Sequence, residues 1–191
     1  IVTPGFTSHG FIIQPNLKYQ LSTLSDETTT TISLPLPNGE SVELESSYAP
    51  IMESDLCAKY PEIRSYKVTA EGYSGRIGYT YKGFHGIIFT PEGTVYYDPI
   101  DAANDTYYCY NRKDYMQFYK GSKSHMCHTE AEPAETDLIS IPQAKRGGER
   151  SGDKLRTYSL ALACTGEFAQ FHGGTITGAL SAFVVSMNRV N

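Results

Sequence analysis

Tryptophan is absent from the 191 residues, and charge is sparse: 16 Lys and Arg stand against 21 Asp and Glu, 19% of the chain, for a formal charge of −5. No stretch gathers Lys and Arg with interleaved aromatics, as a surface for a phosphate backbone requires, so nucleic acid is not an expected partner. No apolar run approaches the ~20 residues that cross a bilayer. The first residues, Ile1-Val2-Thr3-Pro4-Gly5, lack a basic region followed by an apolar one, so no membrane partner is expected either. The chain does not begin with Met, and a removed leader or a fragment is the expectation. There is no C-x-x-C pair. The four cysteines, Cys57, Cys109, Cys127 and Cys164, fit two disulfides in a secreted protein, but a chain of this size does not require them.

What is present suits β structure outside the cell. Hydrophobic residues make up 40%, enough for a core, and Tyr, at 15 copies, is abundant beside Ser and Thr. From Thr28 to about Tyr119 short strands are predicted at intervals of roughly ten residues, the rhythm of an antiparallel meander or a sandwich. Asn38-Gly39 tolerates positive φ and predicts a hairpin turn, and Pro91-Glu92-Gly93 predicts another. Further strands are expected at 65–70, 76–81 and 106–110. Residues 53–60 predict a short helix capped by Ser54 and ended by Pro61.

Residues 129–154 read as a linker, acidic with prolines at first, then charged and glycine-rich. Residues 155–164 turn continuously apolar, as a central strand buried on both faces would. Gly173-Gly174-Thr175 supplies a break and a cap. Ile176, Ala179, Leu180, Phe183, Val184, Met187 and Val190 then recur at i, i+3, i+4 spacing, an amphipathic helix whose apolar face needs a partner. A lone strand and helix cannot bury both surfaces, so this segment reads as the opening of a second domain.

The run from Leu155 to Thr175, with Ala179-Leu180 and Met187-Asn188-Arg189-Val190-Asn191, resembles the start of the catalytic domain in bacterial reprolysin-like zinc metallopeptidases of the metzincin group. Upstream, Leu34-Pro35-Leu36-Pro37-Asn38-Gly39, Ala49-Pro50-Ile51-Met52, residues 56–66, Gly83-Phe84-His85-Gly86 and residues 95–99 are similar to the pro-region of these enzymes, in the same order. The resemblance implies an α+β chain: a mainly antiparallel β pro-domain over residues 1–128, of which 1–27 match nothing, the linker 129–154, and the first strand and helix of a truncated metallopeptidase domain over 155–191. It implies a secreted zinc metalloendopeptidase as parent, kept latent and helped to fold by this region. The parent's own protease domain is the expected partner, with self-association through the terminal helix as a further expectation. H-E-x-x-H is missing, so the chain alone is expected to be inactive, with zinc in the parent and none in this chain.

His125-Met126-Cys127-His128 packs three metal-ligand types into four residues, but adjacent Cys127 and His128 converge poorly on one ion. The resemblance gives Cys127 another role, a blocking ligand to the zinc of the following domain; the alternative is a disulfide with Cys109 or another cysteine, or a free thiol on a loop. Lys145-Arg146 is the natural place for an activating cut, against a merely solvated charge pair. Cys164 with His172 invites a nucleophile, but the end of an apolar strand predicts a buried, inert thiol. His85 reads as a hydrogen-bonded core histidine. Asp98, Asp101 and Asp105 lack calcium-loop spacing and read as a solvated turn. The rival from another class is a secreted β-sandwich binding or adhesion module, which explains the C-terminal segment poorly.

Overall fold

Asn38 and Gly39 reverse the chain as their residue types predict. Gly39 sits at φ +89°, a region costly for any residue with a Cβ, and the Asn38 side-chain oxygen accepts from the Glu40 amide at 3.0 Å. This turn joins β2 (Thr30–Pro35) to β3 (Ser41–Tyr48) in the computed structural model, which describes residues 11–13, 24, 27–101, 106–119 and 158–190. After α1 (Ser54–Lys59), tight turns string together β4 (Arg64–Ala70), β5 (Tyr73–Thr80), β6 (Gly83–Thr90) and β7 (Gly93–Asp101). β8 (Thr106–Asn111) follows and runs into α2 (Arg112–Tyr119). A short strand, β1 (Phe11–Ile13), pairs with β8, and the sheet order is β1-β8-β7-β6-β5-β4-β3-β2, antiparallel at every pairing. The sheet is a single meander; two stacked sheets are not formed among the described residues.

The meander curls on itself. Tyr97 of β7 donates to the Pro35 carbonyl of β2 at 2.7 Å, and the Cys109 thiol of β8 reaches the same carbonyl at 3.4 Å. These strands lie five and six places from β2 in the sheet, so the contacts require it to bend into a half-barrel. The pleat sends alternate residues to opposite faces. Leu34, Leu44, Tyr66, Val68, Ile77, Phe84, Ile88, Tyr97 and Tyr107 fill the inner face. Phe84 meets Tyr97 and Tyr107 edge-to-face at 5.8 and 5.7 Å, the geometry that matches ring edge to ring face. The outer face carries Ser65, Arg76, Gly78, His85 and Asp98.

The C-terminal helices cover part of that outer face. α3 (Gly166–Phe171) starts at Thr165, whose side chain accepts from the Phe168 amide. α4 (Ile176–Val190) starts after Thr175, whose hydroxyl accepts from the Gly178 amide at 3.0 Å, an N-cap bond that satisfies one of the first turn's unpaired donors. α4 packs on β5 and β6, burying Ala179, Ala182 and Val184, and burial of Val184 alone contributes about 1.5–3 kcal/mol. Phe168 stacks on Phe183 at 5.4 Å and joins the two helices. No described helix is long and apolar enough to cross a membrane.

Three local expectations are corrected. Residues 158–165 form no strand: Tyr158 is 78% and Leu160 61% exposed, because a strand exists only when a neighbour takes up its backbone donors and acceptors, and none lies alongside among the described residues. The cap of α1 is Glu53 rather than Ser54, and it makes no side-chain cap bond. Helix α2, where strands were expected up to Tyr119, follows β8 without a break. The sheet and residues 163–191 belong to one compact unit; of the other, Ser122–Leu162, residues 158–162 are described and carry no regular secondary structure.

Candidate functional site

Beneath α4, a polar side chain sits where the helical repeat calls for an apolar one. Asn188 falls four residues after Val184 on the apolar stripe and is buried, with 2% of its surface exposed. Its Oδ1 accepts from Arg76 Nε at 3.0 Å, and its Nδ2 donates to Ser65 Oγ at 2.9 Å and approaches His85 Nε2 at 3.2 Å. A guanidinium only donates, so the amide oxygen must face Arg76 and the amide nitrogen must face Ser65 and His85. His85 Nε2 is then the acceptor, and the ring proton belongs on Nδ1. Arg76 also donates to the Ala49 carbonyl at 2.5 Å, which ties the helix through the sheet to the loop after β3.

Gly78 makes room for the imidazole. A Cβ there would lie 2.7 Å from His85 Nε2 and 2.9 Å from the Arg64 carbonyl, so side-chain volume is excluded although the backbone is ordinary. Burial and the nearby Arg189 guanidinium hold His85 far below the usual imidazole value, at about 3, which keeps it neutral. The Gly83 carbonyl opposes this shift in part. The core-histidine reading of His85 agrees with this placement.

Arg189, one residue on, pairs with Asp98 of β7 and lies over the Tyr96 ring at 5.4 Å. Asp98 also accepts from the Tyr110 hydroxyl at 2.6 Å, and Tyr96, Tyr110 and Tyr115 stack in a row at 5.6 and 5.5 Å. Asp98 is therefore a strand residue committed to a cation and a phenol, not part of a solvated turn. A cleft of about 370 Å³ opens beside the clasp, with Lys82, His85 and Asp98 on the sheet side and Phe168, His172 and Arg189 on the helix side. Lys82 Nζ approaches His172 Nδ1 at 2.5 Å. Burial, and for His172 also the Lys82 charge, lower both groups' affinity for protons.

Other sequence candidates fall elsewhere. Cys164 is exposed, not buried, because the strand meant to bury it does not form, and nothing pairs it with His172 as a nucleophile. Cys57, Cys109 and Cys164 are free thiols, and burial pushes Cys109 up to about 12. His125, Cys127, His128, Asp105, Lys145 and Arg146 lie outside the described residues. Among the described residues no three His, Cys, Asp or Glu side chains converge as a metal site requires. Sequence reasoning missed Arg76, Asn188, Arg189 and Lys82; the signal available was a polar Asn in phase with an apolar helical stripe. Comparison with family models, with curated proteins and with solved structures returns no match.

Proposed function

We propose that this chain is the pro-region of a secreted zinc metalloendopeptidase together with the start of its catalytic domain, and that the curled sheet holds the first catalytic helix so as to assist folding and maintain latency. One observation carries the reading: α4, whose sequence resembles that first helix, docks on the sheet through a buried asparagine that uses its oxygen and both amide hydrogens. A clasp of this kind is geometrically selective, since each partner left unpaired in a buried setting costs about 1–3 kcal/mol. Apolar packing alone would tolerate sliding.

In this reading the clasp belongs to the precursor, Lys145-Arg146 marks the activating cut, and Cys127 supplies the thiolate that blocks the parent's zinc. In this reading the zinc is held by the protease domain that follows, and this chain supplies only the blocking thiolate. The partner is the chain's own protease domain, and the setting is extracellular. The test is the full-length precursor, produced with and without residues 1–128. The intact precursor is expected to be latent until the linker is cut, and deletion is expected to lower the yield of active enzyme. Full activity before cutting, with equal yield after deletion, overturns the proposal.

A further inference from the structure

We propose that the cleft between the β5–β6 turn and the α3–α4 hairpin is a binding site for a small monocarboxylate bearing an apolar group. The inference goes beyond the latency reading and stands without it, since it rests only on the cleft.

The cleft has the size of a small-molecule site, about 370 Å³, and two kinds of wall. Pro99, Phe168, Ala182 and Val185 make an apolar side able to cover an aliphatic or aromatic group. The other side presents donors. Lys82 has three N–H groups and gives one to His172. Arg189 gives a terminal nitrogen to Asp98 and brings its guanidinium charge to the same wall.

Charge selects among acceptors. Lys82 and Arg189 contribute two positive charges and Asp98 one negative, which leaves a surplus of one in a chain whose formal charge is −5. A monoanion balances that surplus; a phosphate dianion overshoots it, beside Asp98. Burial, and at His172 also the Lys82 charge, lower the proton affinities of the pair, and an anion beside them would raise both. A planar carboxylate with an apolar substituent satisfies both walls. It can be a free metabolite-sized acid or the carboxyl end of a peptide.

The test is an NMR titration of the His172 ring in the whole chain with N-acetyl-leucine, with N-acetyl-leucinamide, and with a short peptide ending in leucine as the free acid or as the amide. Saturable shifts and a raised His172 pKa are expected with the acids and not with the amides. Binding of the peptide acid alone identifies a chain end as the source; binding of N-acetyl-leucine identifies the free acid as sufficient. Lys82→Gln, on an exposed turn, is expected to weaken binding about tenfold, the loss of one charge-assisted bond. Ser186→Phe, which fills the cleft without touching its charges, is expected to abolish it. No saturable shift, equal response to acid and amide, or unchanged affinity in Lys82→Gln overturns the proposal.

Discussion

Arg76 and Asn188 stand 112 residues apart in the chain and meet at 3.0 Å, a strand cation donating to a helix amide in the interior. This contact converts the docking of α4 from a greasy fit into a registered one. It also makes the helix position sensitive to changes that preserve volume and polarity but not hydrogen-bond direction.

Asn188→Ala is expected to destabilise the domain by about 2–4 kcal/mol, because Arg76, Ser65 and His85 each lose a buried partner at once. Denaturant unfolding measures the loss. A cost below about 0.5 kcal/mol, the range of ordinary surface substitutions, would show that water takes up these groups without penalty.

His85 sets the acid limit. Its imidazole holds about 3 in the folded chain against 6.5 for the free group, so folding favours the neutral form. The associated stability is complete above about 6.5 and is lost as pH falls from there towards 3, at about 1.4 kcal/mol per unit. His85→Gln keeps an acceptor for Asn188 but cannot titrate, and its stability is expected to stay flatter across that window. Parallel pH profiles for the two proteins would place the acid sensitivity elsewhere.

Asn188→Asp moves the same equilibrium the other way. A carboxylate facing Arg76 and His85 favours the imidazolium, so the His85 pKa is expected to rise, read from its ring-proton shifts.

Gly78→Ala is expected to cost about 1–3 kcal/mol through overpacking, with hydrogen exchange accelerated first in α4, since the new methyl meets the His85 ring before any flexible group. Thr175→Ala should cost about 0.5–2 kcal/mol by removing the α4 cap, and Thr175→Ser should restore most of it.

The parts of this architecture that local chemistry dictates were legible in the sequence. Asn38-Gly39 and Pro91-Glu92-Gly93 turn the chain, and Gly173-Gly174-Thr175 starts the last helix, because positive φ, fixed proline φ and a hydroxyl cap act within a few residues. What was not legible depends on distant partners. Asp98 looks like a turn acid until Arg189 arrives from 91 residues away. The apolar run before Cys164 has the composition of a buried strand, but composition cannot supply the neighbour that a strand needs. The curl of the sheet was invisible for the same reason: it is fixed by Tyr97 and Cys109 converging on one carbonyl of β2.

That convergence gives the protein two clocks of its own. Cys109 is enclosed where the sheet's ends meet, with a thiol that burial keeps protonated, while Cys164 lies in the open. A thiol reagent will modify Cys164 on contact but must wait at Cys109 until β2 and β8 separate. With Cys57 and Cys127 replaced by Ser, the slow phase of labelling therefore times the uncurling of the sheet directly, in a chain that carries no tryptophan to report it by fluorescence.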